Sequence, residues 1–419
     1  MSSMVGSAFL AVGAFTAPSG AHSGQPPSEP ELASYHAAQV LQVRAKELWT
    51  SAGQRIPDGL LVVSGGRIRS AGSARDVDRA LPLVWHDGVV TAGLIACRTQ
   101  SGTADELQDD TRTVMGAARG VHAFEPASRD FRRALAAGIT AMSIAPGPAN
   151  LVGGLTCVVK TAGGRVLEPE ATLALSLTGS ALGRSTSQGG FSFGIAEGAS
   201  ALPSSDEGGP ESARGTRGTR APTSYPGALA TLRELFARGE GAFGRAKRGD
   251  LPVTIDAWDR HEVLRAAQFA REQGLQGSIR GAPLAGDPDV LAALEASGLG
   301  VIVGPYSAAQ TRRSLESVKG LSEAGVPVAF ALDAPEHSPL ELRLSAARAL
   351  RSGATREAVW KALTEDAARL VGTAESIGVL APGHDADFVL WSGDPLDLSS
   401  RVLAVYVDGK LAWSARAEH

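Results

Sequence analysis

The chain reads as an α/β protein, a (β/α)8 TIM-type barrel carrying a small β-sandwich domain assembled from both termini. Three observations lead there. Apolar strand-like runs alternate with helical segments through the middle of the chain, and both ends are rich in short strands and tight turns. A length of 419 residues exceeds one ordinary core unless that core is an α/β barrel with appendages.

The N-terminal strands come first. Val40-Leu41-Gln42-Val43-Arg44-Ala45 alternates, Asp58-Gly59 reads as a turn, and Leu60-Leu61-Val62-Val63 is a compact strand. Gly65-Gly66 turns into Arg67-Ile68-Arg69, and Ala71-Gly72 closes the meander. In the middle, Phe131 to Ala137 is helical and leads through Gly138 into the strand Ile139 to Ile144. Leu251 to Ile255 is a strand followed by a helix from Arg260 to Gln273. Ser278-Ile279 opens another βα unit with Asp289 to Ala296 as its helix. Gly300 to Gly304 and Val326 to Leu332 are strands, and Leu342 to Leu350 and Arg356 to Leu370 are the closing helices. At the C-terminus Ala386 to Trp391 and Val402 to Tyr406 are strands, and Asp408-Gly409 turns tightly into Leu411-Ala412-Trp413.

These elements divide the chain. Residues 39–90 together with 378–419 form the discontinuous β domain, and 91–377 form the barrel. Residues 1–38 read as a leader or disordered segment. Met4 to Ala17 is apolar and small residues follow, as in a secretory signal, yet Met1-Ser2-Ser3 brings no positive charge and the balance leans to the cytoplasm. The run is too short to span a bilayer. From about 180 to 221 the barrel carries a low-complexity insertion rich in Gly, Ser, Thr and Arg, with an Arg-Gly-Thr repeat at Arg214 to Arg220. Acidic Asp206, Glu207 and Glu211 dilute its charge, which favours a solvated loop over a nucleic-acid tail.

Composition excludes several classes. A formal net charge of −4 gives no electrostatic argument for nucleic acid or an anionic membrane. Two cysteines, Cys97 and Cys157, make neither a disulfide framework nor a cysteine zinc site and read as buried thiols.

Several blocks carry a resemblance to amidohydrolases of the imidazolonepropionase-like type. Ile56-Pro57-Asp58-Gly59 and Gly66 to Gly72 are similar to the family's N-terminal meander. Ala136 to Thr140, Ala145 to Asn150 and Gly153-Gly154 are similar to its early βα units. The most specific block is Leu380 to Trp391, which resembles L-x-P-G-x-x-A-D-x-V-x-W. Gly393-Asp394-Pro395-Leu396 and Val405 to Gly409 follow in family order.

The resemblance implies a catalytic metal held by two histidines on the first barrel strand, one after the fifth, one after the sixth, and an aspartate after the eighth. Here the first strand, Val90 to Gln100, keeps the Gly93-Leu94-Ile95 frame but places Arg98 and Gln100 at the histidine positions. Asp256 stands at the fifth-strand position, Arg280 at the sixth, and only Asp333 keeps its ligand type. A guanidinium is donor-only and stays protonated, so it cannot coordinate a cation. None of the eight histidines supplies a replacement set; His337 is the one that follows Asp333 toward the barrel mouth. Lys160 invites comparison with the bridging lysine of binuclear relatives, but a lysine without imidazole partners makes no zinc site.

The expectation is a catalytically degenerate amidohydrolase homologue with no metal cofactor, serving as a binding or partner subunit. Its partner would be a second copy or an active paralogue. The alternative is a working hydrolase of carbon–nitrogen bonds, with relocated zinc ligands or with Asp333 and Asp256 as a metal-free acid/base pair. A third reading is a receptor in which Arg98 and Arg280 bind a small carboxylate. Arg98 and Arg280 are expected to pair with Asp256 and Asp333.

Overall fold

A computed structural model describes residues 40–415 apart from 105–106, 110, 183–221 and 308. The expected leader and nearly all of the low-complexity insertion lie outside the described residues. The chain has a mixed α/β fold with three sheets.

The first sheet is built from both ends of the chain. Its seven strands are β1 (Val40–Ser51), β2 (Gln54–Ser64), β3 (Arg67–Ser73), β4 (Leu83–Ala92), and then, far along the chain, three C-terminal strands. β5 (Leu94–Thr99), β6 (Ile139–Ile144), β7 (Val152–Leu155), β8 (Cys157–Lys160), β9 (Val166–Glu168) and β10 (Leu173–Ser176) come between. So do β11 (Val253–Ala257), β12 (Gly277–Gly281), β13 (Gly300–Val303) and β14 (Val328–Phe330), before β15 (Phe388–Trp391), β16 (Val402–Val407) and β17 (Lys410–Ser414). The terminal sheet runs β17-β16-β15-β4-β1-β2-β3, so β4 joins the two ends of the chain. One face packs Leu41, Val43, Leu61, Val63, Val90, Phe388 and Tyr406 into a core of its own, with the Phe388 and Tyr406 rings stacked at 4.4 Å.

Asp58-Gly59 is not a turn, contrary to the sequence expectation. The hairpin reverses at Ala52-Gly53, and β2 runs on through Asp58 and Gly59 without reversing, although Asp58 takes a positive φ of 49°. Glycine is there because the strands approach closely: a Cβ on Gly59 would stand 2.3 Å from the Leu48 Cβ.

The other two sheets place the candidate site. One is ordered β14-β13-β12-β11-β10-β7, the other β5-β6-β8-β9. The pairings β10-β11-β12-β13-β14 and β5-β6 are parallel. A parallel bridge from Cys97 to Ala331 and bonds from Leu332 N and Asp333 N to the Cys97 and Arg98 carbonyls connect β5 to the chain leaving β14. Seven strands thus share a direction among the described residues, one fewer than the expected eight. Between them, β7 and β8 form a nearly continuous run that lies antiparallel to β10 with its first half and to β6 with its second.

Apolar side chains on both faces of these strands make the main core, flanked by helices. The first strand needs Gly93: a Cβ there would lie 2.0 Å from Thr140 Oγ1. The helix Arg260–Gln273 begins at an Asp259 capping box with Glu262 and ends at Gly274 in the left-handed region. The helix expected over 356–370 is broken into Arg356–Leu363 and Glu365–Leu370. Thr364 leaves helical geometry and donates its hydroxyl back to the Trp360 carbonyl at 2.8 Å. Among the described residues no helix is long and apolar enough to cross a membrane.

Candidate functional site

The five residues singled out in the sequence sit at or just beyond the C-terminal ends of strands. Arg98 is the penultimate residue of β5 and Gln100 follows it; Asp256 lies in β11, Arg280 in β12, and Asp333 follows β14. Arg98 and Asp333 both adopt positive φ, 61° and 49°, a conformation that costs a non-glycine residue energy and that packing must enforce. The bonds joining β5 to residues 332–334 supply that enforcement: Asp333 N donates to the Arg98 carbonyl, and Gln100 N to the Ala334 carbonyl at 2.8 Å.

Four of the five side chains meet. Arg280 Nη1 donates to Asp256 Oδ1 at 3.0 Å, and its Nη2 pairs closely with Asp333 Oδ2. Arg98 Nη2 stands 3.9 Å from Asp256 Oδ2, within ion-pair range but beyond a hydrogen bond. Arg98 Nη1 donates to the Ala145 carbonyl at 3.1 Å instead. The expected pairing therefore holds for Arg280 with both carboxylates, while Arg98 reaches Asp256 only loosely.

Gln100 is half-buried, and its Nε2 lies 3.5 Å from where a Cβ on Gly147 would stand. The side chains of Arg98, Asp256 and Arg280 are almost wholly buried, while that of Asp333 is 21% exposed. Trp258 lies over the Arg280 guanidinium, 4.5 Å from ring centroid to Cζ, and is itself exposed.

Electrostatics separate the two arginines. Burial alone pulls the Arg280 pKa down, but Asp256 and Asp333 more than reverse this and hold it above the ordinary value. Burial lowers that of Arg98, and the like charge of Arg280 adds to the fall; Asp256, Asp333 and Glu336 counter only part of it. Arg280 commits both Nη groups to carboxylates and leaves only its buried Nε unpaired, while Arg98 has one backbone acceptor.

The remaining candidates lie elsewhere or are engaged. His337 Nδ1 bonds Glu341 Oε2 at 2.8 Å. Lys160 pairs with Ala141 in the first half of β6, away from the strand ends that carry Arg98 and Asp256. Its fully buried ammonium faces Asp385 at 2.8 Å, Asp387 at 3.1 Å and Asp408, all from the C-terminal region. Arg165 joins Asp385 and Asp408, and Arg67 lies 3.6 Å from Asp385. Burial raises the Asp387 pKa to about 6, more than the attraction of Lys160 offsets. Sequence reasoning missed this cluster, although two acids inside the apolar Leu380 to Trp391 block were its visible signal. It also missed Trp258.

Zinc, which the family resemblance implies, does not suit this set of side chains. Two of the five are guanidinium donors without a lone pair, and the Arg280 guanidinium spans the two carboxylates that could ligate. Among the described residues no three His, Cys, Asp or Glu side chains are grouped to hold an ion.

Residues 253–412 match the amidohydrolase family. An imidazolonepropionase of Rhizorhabdus wittichii is 30% identical over 407 residues, covering 86% of this chain and 97% of the relative. An imidazolonepropionase of Xanthomonas euvesicatoria is 30% identical over 173 residues, 38% of this chain and 43% of its own length. Among solved structures, an amidohydrolase of Thermotoga maritima superposes with a TM-score of 0.74 at 23% identity, covering 89% of this chain and all of that one. That likeness concerns the fold.

Proposed function

The chain belongs to the amidohydrolase family, and from that premise we propose that it is a catalytically degenerate member acting as a binding or partner subunit. One observation carries the reading: Arg280 bridges Asp256 and Asp333, so a fixed protein cation neutralises the carboxylates at the position where the family's metal is expected. Hydrolysis in the family pattern needs a Lewis acid to polarise the scissile carbonyl and to lower the pKa of its water. A guanidinium already committed to two carboxylates offers neither an open coordination position nor a lone pair.

On the same reading, the seven co-directional strands close with β7 and β8 into one barrel of residues 91–377. The sheet from 39–90 and 378–419 forms the β-sandwich domain beside it. The subunit would pair with its own copy or with an active paralogue.

The second reading is a hydrolase acting on carbon–nitrogen bonds without the usual ligands. It is favoured by the full-length likeness to an imidazolonepropionase and by the partial exposure of Asp333. Elemental analysis of the purified chain, with an imidazolonepropionase assay before and after zinc addition, separates the two. Degeneracy predicts well under one equivalent of metal, no activity in either condition, and a melting curve indifferent to chelator. Stoichiometric metal or turnover overturns it.

A further inference from the structure

We propose that Arg98, with Gln100 two residues along the chain, is a binding subsite for the carboxylate of a small monoanionic ligand. The inference rests on the degenerate reading above, because it assigns Arg98 a task that a metal ligand position would not leave room for.

A guanidinium carries five N–H groups, and a buried one strongly favours having them satisfied. Arg280 spends its two Nη groups on Asp256 and Asp333. Arg98 is equally buried, at 6% exposed, yet among the described residues its one hydrogen bond runs from Nη1 to the Ala145 carbonyl. Its nearest carboxylate oxygen is 3.9 Å away. Nε and Nη2 therefore hold unspent donors, and neither is among the fully buried unpaired atoms, so both keep some contact with solvent.

The surroundings set what can answer those donors. Arg98 is fixed from two sides, by the backbone bonds that hold it at positive φ and by the bond to Ala145. The Gln100 carboxamide stands over Gly147, two residues past Ala145, so both polar side chains border the same loop. On the far side of Asp256, its register partner Ser176 leads a hydroxyl chain through Thr178 to Ser180, with links of 2.8 and 2.7 Å.

Charge then narrows the class. The two arginines and two aspartates balance and Glu336 also acts on Arg98, so the attraction for an anion comes from the Arg98 fork alone and the surrounding carboxylates oppose more than a single negative charge. A planar carboxylate fits the fork of a guanidinium bidentately. A phosphate dianion is disfavoured by the same aspartates.

The test uses the full chain, with metal content measured on the same sample. Its melting temperature is followed against sodium acetate, against sodium chloride at matched ionic strength, and against inorganic phosphate. Acetate is expected to raise the melting temperature beyond chloride, and phosphate to add nothing. Arg98→Met should abolish the acetate shift, a loss of affinity on the order of tenfold to a hundredfold, and Gln100→Ala should reduce it. Should Arg98→Met fold poorly, saturation-transfer NMR of acetate on the parent chain and on Gln100→Ala reads the same contact. Absence of an acetate effect on the parent, or its survival in Arg98→Met, overturns the proposal. A metal-free sample that ignores acetate overturns the carboxylate site alone. A metal-loaded sample whose acetate shift vanishes in Arg98→Met overturns the degenerate reading alone.

Discussion

Arg280 Nη1 donates to Asp256 Oδ1 across 3.0 Å, and the two residues are direct register partners on the adjacent parallel strands β11 and β12. The contact is therefore dictated by strand pairing and needs no loop to bring it about. Side chains that share a register position in a parallel pair emerge on the same side, so an aspartate beside an arginine there forms an ion pair.

The two carboxylates differ in what their removal leaves behind. Asp256 lies between both arginines and is buried, so Asp256→Ala leaves Arg280 with Asp333 alone and removes the nearest carboxylate from Arg98, and should cost roughly 3–5 kcal/mol. Asp333 is partly exposed and Arg280 keeps Asp256 without it, so Asp333→Ala should cost about 1–3 kcal/mol. Urea denaturation of both variants checks the ranking; equal losses would contradict it.

Removing the buried ammonium should be among the most damaging substitutions in the chain. In Lys160→Met, Asp385, Asp387 and Asp408 remain together with only Arg165 and Arg67, both partly exposed, to balance them. The expected loss is roughly 3–5 kcal/mol at neutral pH. Measured at low pH, where Asp387 is protonated, the loss should shrink.

The same cluster gives a pH signature. Asp387 has a folded pKa of about 6, above its ordinary 3.8. Between those values the folded state holds more protons than the unfolded one, so this group lowers stability as pH rises through the window. The effect is complete above pH 6 and amounts to about 3 kcal/mol. Asp387→Asn keeps an oxygen for the Lys160 and Asp408 N–H donors but does not titrate. The stability difference, variant minus parent, should therefore grow from pH 4 to pH 6 and then level off. A difference that is flat across this range in denaturation experiments would refute the assignment.

A smaller change tests the first strand. Gly93→Ala drives a methyl group into Thr140 Oγ1 and Cγ2, at 2.0 and 2.3 Å. Overpacking of this kind costs about 1–3 kcal/mol. The double variant Gly93→Ala/Thr140→Ser removes Cγ2 and should recover part of the loss in thermal melts.

Local patterns made much of this legible in the sequence. The strands of both ends are visible as alternation and turn dipeptides, and the family blocks locate Arg98, Gln100, Asp256, Arg280 and Asp333 from sequence alone. What stayed hidden depends on contacts across the chain. Gly59 looks like a turn residue, and only the proximity of Leu48 shows that it permits close strand approach. Thr364 breaks a helix whose apolar spacing gives no warning. Two arginines at equivalent positions read alike in the sequence, yet register gives Arg280 Asp256, Asp333 reaches it from beyond β14, and Arg98 is left a carbonyl. The partners of Lys160 lie more than two hundred residues downstream, beyond the reach of any local pattern.

That separation has a consequence in time. Asp387 follows Lys160 by 227 positions. At a synthesis rate of about 5–20 residues per second, the lysine leaves the ribosome on the order of ten seconds or more before its counter-charges are made. Until then β8 cannot bury its last residue without enclosing a bare ammonium, and β4 lacks the neighbour that β15 will provide. The nascent chain therefore waits half-assembled, with the middle of the molecule licensed to close by its last strands. A chain interrupted before Asp385 is left without the charges that complete its interior, and is marked as unfinished by its own electrostatics.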